Sequence, residues 1–257
     1  MMKENINRIS IIGAGNLATN LAIAFQTNGI EIVDIVSKNN GSAKKLANRV
    51  NAYHRETVGQ IDTTTELLII AVTDDSILNV LTDLTTTKIP IVHTSGATSI
   101  DIFKESKFKE FGVFYPVQSF DKEKLTNFSD LPIAIEASHS NLETQLLSLC
   151  RGIKGRAIKL NSEDRKVLHI AAVFANNFTT HLLLQSKQIL EQRSLNIDLL
   201  QPLITKTFSD LSLLKQTGPA AREDKQIIEE HLSFLRGDEN KADLYKILTN
   251  SIIKSNL

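Results

Sequence analysis

His169, Asn176 and Asn177 stand in a stretch, LHIAAVFANNF, that carries no other polar side chain, and His93 opens the short run HTSGA. Histidine titrates near neutrality, so it can give or take a proton under ordinary conditions. An asparagine amide can orient a carbonyl or imine without supplying its proton. His169 and Asn176 are seven residues apart, almost two helical turns, so a helix would place them on one face with Asn177 on its flank. Satisfied polar contacts in a turn or between helices give the same residue pattern without chemistry. In HTSGA an imidazole, two hydroxyls and a glycine are gathered. Further on, QTGP makes a rigid turn with Arg222 after it, where a guanidinium can receive an anionic group or a helix can simply begin.

What would position these groups is legible upstream. In RISIIGAGNLATNLAIAF, residues 8 to 25, Ile9, Ile11 and Ile12 read as a strand, while Leu17, Leu21, Ala24 and Phe25 recur at helical spacing. Gly13, Ala14, Gly15, Asn16, Leu17 and Ala18 therefore fit G-x-G-x-x-G/A at a strand-to-helix turn, the arrangement that binds a dinucleotide. Gly13 permits the tight turn, Gly15 lets backbone approach a pyrophosphate held by the helix N–H groups and dipole, and Ala18 lets helix and sheet pack closely. The next strand ends IVDIVSKNN. An NAD site places an acid at that strand end to hold the ribose hydroxyl. Here Asp34 lies inside the strand and Ser37 and Lys38 occupy its end, so a hydroxyl and a cation face the place of a 2′-phosphate and NADP(H) is expected. A solvated loop lysine would look the same. Val72 and Thr73, at the end of another strand, are expected to line the dinucleotide, with Asp74 and Asp75 capping the helix that follows.

From residue 8 to about 160, short apolar strands (ISIIG, IEIVDIV, LLIIAV, PIVHT, GVFYPV, LPIAIEA, AIKLN) alternate with helical stretches, which implies parallel pairing. The pattern then changes. Residues 161 to 193 contain no Gly or Pro and read as one long helix opened by Asn161 and Asp164. Helical stretches follow at about 196 to 215, 221 to 235 and 239 to 253. The fold class is therefore α/β, an N-terminal Rossmann doubly wound parallel sheet (1–160, dinucleotide binding) followed by an all-α C-terminal domain (161–257, substrate binding and dimerisation).

Of the 257 residues 42% are hydrophobic, enough for a sizeable core. Twenty-nine Lys and Arg balance 29 Asp and Glu, leaving no net field to attract nucleic acid or an anionic membrane. A single cysteine, Cys150, excludes an intrachain disulfide and any multi-cysteine metal site. The start, MMKENINRIS, has no signal-peptide core. No unbroken apolar run approaches the roughly 18 residues that span a bilayer. A cytoplasmic protein without metal, nucleic-acid or membrane partners is expected.

GAGNLA, HTSGA, FYPVQSF, LHIAAVFANNF and QTGPAARED, in this order across nearly the whole chain, resemble the Rossmann-like proteins with a C-terminal helical domain of unknown function. That family is grouped in general terms with NADP-dependent oxidoreductases and is similar to pyrroline-5-carboxylate and ketopantoate reductases. The resemblance implies that Gly13, Gly15, Asn16 and Leu17 touch the cofactor, with Ser95 beside it. It also implies that His93, Gln118, His169, Asn177 and Arg222 line the cleft and that the C-terminal helices form a homodimer. Tyr115 departs from it, because many members carry His before the Pro. Ketopantoate reductases and β-hydroxyacid dehydrogenases have a helix lysine with an asparagine four residues on, whereas Lys166 is followed there by Ile170, so neither activity is expected.

The expected function is NADP(H)-dependent reduction of a small carbonyl or imine in the interdomain cleft, with His169, Asn177 and His93 catalytic. The alternative is a dinucleotide-binding sensor or assembly protein without turnover. Polar groups from both domains favour the enzyme, and the lack of an obvious Lys or Tyr acid favours the sensor.

Overall fold

A computed structural model describes residues 5–84, 88–209 and 214–255. Among these, eight strands form one sheet: β1 (Arg8–Ile12), β2 (Glu31–Val36), β3 (Tyr53–Arg55), β4 (Leu67–Ile70), β5 (Ile91–His93), β6 (Phe111–Pro116), β7 (Pro132–Ala137) and β8 (Arg156–Lys159). Their order is β3-β2-β1-β4-β5-β6-β7-β8. Because the chain leaves β1 toward β2 and later returns to β4 on the other side, β1 marks the point where strand order reverses, and a crevice opens there at the strands' carboxyl ends.

The apolar strands have the composition a two-sided burial demands. All four residues of β4 are buried, with Leu67 and Ile69 in one core cluster and Leu68 and Ile70 in the other. The first cluster packs α1 (Asn16–Thr27) through Leu21 and Phe25, and α4 (Ser140–Gly152) through Leu142 and Leu146. The second packs α3 (Asp74–Asp83) through Ile77 and Leu81. α2 (Asn40–Arg49) follows β2, its first turn closed by the Asn39 side chain accepting from the Ser42 N–H. Cys150 sits on α4, wholly buried, and burial pushes its thiol up to about 11.

Two features differ from the sequence reading. β3 is a three-residue edge strand whose Tyr53 is exposed, too short to show an alternating pattern. β7 runs antiparallel to β6, because no helix lies between them to carry the chain back across the sheet. All other pairings are parallel.

Compactness divides the chain into Met1–Asn176 and Asn177–Leu257, later than the change of pattern at residue 160. α5 (Ser162–Ala172) belongs to the first unit for a visible reason. Arg165, only 1% exposed, ion-pairs with Glu136 of β7 and donates to the Thr98 carbonyl. Ser162 donates its N–H and hydroxyl to the same carboxylate, at 3.1 and 2.9 Å, and its Oγ accepts from the Ile100 N–H at 3.0 Å. As the sequence suggests, Asn161 caps α5, accepting from the Asp164 N–H.

After α5 the helix is not uniform: Val173–Phe178 is a π-helical turn. In the second unit, α6 (Thr179–Glu191), α7 (Gln201–Ser209, entered through a 3₁₀ turn at Ile197–Leu200), α8 (Lys225–Phe234) and α9 (Glu239–Ser255) match the expected helical stretches, except that 210–213 lie outside the described residues. Leu235, Ala242 and Thr249 are the buried residues among those described there. By length and composition Ser162–Glu191 is apolar enough to cross a membrane, with a mean hydropathy of 1.4, which an unbroken-run criterion misses because His and Asn interrupt it. Its first turn, however, is occupied by the Arg165 ion pair.

Removing one partner from a buried ion pair leaves an uncompensated charge, at a cost of about 3–5 kcal/mol. Arg165→Leu or Glu136→Gln should therefore lower the unfolding free energy measured in urea by a margin of that size. A change below about 1 kcal/mol in both variants would show that the pair does not hold α5 in place.

Candidate active site

At the carboxyl ends of β1, β2 and β4 lies a cleft of about 820 Å³. Gly13, Ala14, Gly15, Asn16, Leu17, Ser37, Lys38, Val72 and Thr73 all line it, nine residues that the sequence nominates from three separate stretches. The two glycines act differently. Gly13 has φ +130° and a Cβ there would overlap the Ala71 carbonyl, so this turn admits only glycine. Gly15 has ordinary φ, and a Cβ would meet nothing within 4 Å, so nothing in the fold requires the missing side chain. Helix α1 starts at Gly15 with no side-chain cap and no acid in its first turn, leaving N–H groups and the positive end of the dipole facing the cleft. α3 by contrast begins with Asp74 and Asp75. An open, uncapped N-terminus beside a side-chain-free turn fits a pyrophosphate.

Asp34 is wholly buried and accepts from Arg55 Nε at 2.6 Å, the Asp62 N–H at 2.8 Å and Ser10 Oγ at 3.3 Å. Its carboxylate is thus spent on holding β1, β2 and β3 together. Lys38 is the one basic side chain among the described cleft residues, which also include Glu56 and Asp83. Glu56, Thr57, Val58 and Gly59 come from the segment after β3, which sequence reading missed. Only the edge strand brings them there.

The second cluster lies at the ends of β5 and β6. Tyr115 Oη and His169 Nδ1 are 3.2 Å apart, their rings packed edge to face at 6.0 Å. Gly96 lies against both: a Cβ there would come within 2.7 Å of His169 Nδ1 and of Tyr115 Cζ. Burial, and next the Asp74 carboxylate, push the Tyr115 phenol up, so it keeps its proton throughout the neutral range. His169 is half-buried. Its position one turn beyond Arg165 follows from the ion pair that seats α5.

His93 is placed elsewhere. Its ring is wholly buried, stacked on Phe103, and its Nδ1 accepts the Ser95 N–H at 3.2 Å. Burial, aided by the Arg165 charge, lowers its pKa to about 3, so it stays neutral and behaves as a core residue behind the HTSGA turn. Ser95 is likewise buried and accepts the Ala97 and Thr98 N–H groups, bracing that turn outside the cleft. Gln118 is exposed in the loop after β6, with its Oε1 accepting the Ser119 N–H. Asn177 and Arg222 are exposed in the second unit. The uniform helical spacing that relates Asn177 to His169 does not hold, since a π turn is wider than 3.6 residues. Tyr115, set aside by the sequence reading as a departure, is the partner that reading missed; its place at the end of a strand was the available signal.

Residues 2–109 match a Rossmann-like domain and residues 131–252 match DUF2520, a domain of unknown function. A sequence search of curated proteins returns no match. Among solved structures, a Bacteroides fragilis protein described as a "putative NADP oxidoreductase" is 33% identical, with 98% of this chain and 99% of that one covered and a TM-score of 0.88. An imine reductase from Myxococcus stipitatus in complex with NADP+ is 13% identical over 96% of this chain and 94% of its own (TM-score 0.69). A 1-pyrroline-5-carboxylate reductase from Streptococcus pyogenes is 12% identical over 98% and 100% (TM-score 0.64). These last two share the fold.

The contrast between the glycines gives a clean test. Gly15→Val should keep the wild-type urea midpoint to within about 0.5 kcal/mol while abolishing dinucleotide binding in calorimetry, since only ligand space is filled. Gly13→Val should fail to fold stably. Wild-type binding by Gly15→Val would remove the pyrophosphate from that turn.

Proposed function

Because the chain belongs to the family that joins a Rossmann-like domain to DUF2520, we propose that it is an NADP(H)-dependent reductase of a small carbonyl or imine. The observation that carries this reading is the uncapped start of α1 opening onto a cleft whose one described basic side chain, Lys38, stands at the end of β2. Gly13 to Leu17 hold the pyrophosphate, Ser37 and Lys38 meet the 2′-phosphate, and Val72 and Thr73 pack the dinucleotide. The cofactor supplies a hydride. Charge then develops on the substrate's oxygen or nitrogen, and a positioned donor must meet it. His169 is that donor in our reading. The 33%-identical relative supports the cofactor class.

We also propose that the protein is a cytoplasmic homodimer. Val167, Ile170 and Phe174 in the first unit and Phe178, Leu182 and Leu184 in the second are each at least 37% exposed, apolar side chains of the kind that a second copy would cover. Light scattering at micromolar concentration should give about twice the 28.5 kDa chain mass. A monomer in solution, or a protein that partitions onto liposomes instead, would overturn the dimer.

NADPH should bind more tightly than NADH, and Lys38→Ala should remove most of the difference; equal wild-type affinities in calorimetry would refute the 2′-phosphate assignment. With NADPH absorbance followed at 340 nm against 2-keto acids, aldehydes and cyclic imines, His169→Ala should lower turnover by about 100-fold at nearly constant NADPH affinity. Tight NADPH binding with no turnover of any compound would favour a sensor.

A further inference from the structure

We propose that Tyr115 is a positioning residue for His169: its hydroxyl donates to Nδ1, holds the neutral ring in the tautomer protonated at Nε2, and so presents an N–H donor to the reacting group. The inference deepens the reading above, in which His169 meets the developing charge, and it gives a role to a residue that the sequence alone left without one.

Three observations carry it. The 3.2 Å separation of Tyr115 Oη and His169 Nδ1 is a hydrogen bond in which either atom could donate. A phenol half-buried beside the Asp74 carboxylate does not ionise near neutrality, so it always has a proton to give, and a neutral imidazole nitrogen is the better acceptor of the two. The bond made by one ring nitrogen fixes which atom carries the proton on the other. The pair is also built rather than incidental. A Cβ at Gly96 would lie 2.7 Å from each ring, so any larger residue there would force one or both rings to shift. The buried Arg165–Glu136 pair fixes the helix on which His169 stands, and β6 fixes Tyr115 just before Pro116. Both ends of the hydrogen bond are therefore anchored to the sheet independently, and the ring is oriented before any ligand arrives.

The same clamp explains how an imidazole whose described hydrogen bond is to a phenol can serve. A neutral histidine locked as a donor stabilises a developing negative charge without first having to be protonated, as preorganised donors do. In this role Tyr115 touches neither cofactor nor substrate and acts only through His169.

The experiment uses full-length wild type, Tyr115→Phe and Gly96→Ala, the last keeping both rings and the hydroxyl while forcing them apart. Long-range ¹H–¹⁵N spectra of the His169 ring, taken where it is neutral, should show the proton at Nε2 in wild type. The Nδ1-protonated tautomer should enter the spectrum in both variants. In the reductase assay both variants should lose about tenfold in kcat, the scale of one hydrogen bond, with KM for NADPH unchanged. A wild-type ring protonated at Nδ1, or ring signals that Tyr115→Phe leaves unmoved, would overturn the proposal, as would a loss appearing equally in NADPH affinity. The spectra need no substrate, so they decide the tautomer even if no reductase activity is found. That outcome would count against the functional reading and leave the positioning intact.

Discussion

The buried pair of Arg165 and Glu136 is the interaction on which the arrangement of the site rests. Two charges withdrawn from water cost several kcal/mol each, and their attraction repays this only if further hydrogen bonds satisfy both groups. Here Ser162 donates twice to the carboxylate and the guanidinium donates to the Thr98 carbonyl and Ser162 Oγ, while Arg165 Nε has no partner among the described residues. The result joins the first turn of a helix, the end of a strand and the segment after HTSGA into one unit. Such a network contributes little net stability compared with an apolar substitute of the same volume. Its value is directional: it specifies the rotation of α5 about its own axis, and with it the bearing of His169.

At the cleft beside β1 the constraint is steric. Gly13 must be glycine because the turn between β1 and α1 passes against Ala71, whereas Gly15 is free to carry a side chain as far as the protein itself is concerned. A sequence pattern records both as the same letter. Only the geometry separates the residue the fold demands from the residue a ligand would demand. Asp34 shows the reverse confusion: an acid near the position that selects NAD, committed to Arg55 and the Asp62 backbone instead.

Much of this was readable in the sequence. The strands of the first unit bury both faces and so appear as unbroken apolar runs, and the glycine turn falls between a period of two and a period of 3.6. The doubly wound sheet follows from those runs alternating with helices, and the nine residues placed in the cleft follow from strand ends and the glycine turn. What escaped depends on pairings that no local pattern encodes. β3 is too short to alternate, so Glu56 to Gly59 went unseen. The antiparallel β7 depends on the path of a loop. His93 looked like His169 because residue type does not report depth, and the difference between a wholly buried ring on Phe103 and a half-buried ring on Tyr115 is set by contacts 10 to 54 positions apart. The π turn is silent because VFANNF carries no Gly or Pro to mark an interruption.

Cys150 has a use unrelated to any chemistry it might perform. As the single thiol of the chain, wholly buried on α4 and held protonated by its surroundings, it reacts with an alkylating reagent only when the packing around it opens. It contacts Gly155 and lies in the larger of the two core clusters. Labelling kinetics therefore time the opening of the core around α4, and the first unit carries a built-in clock of its own packing.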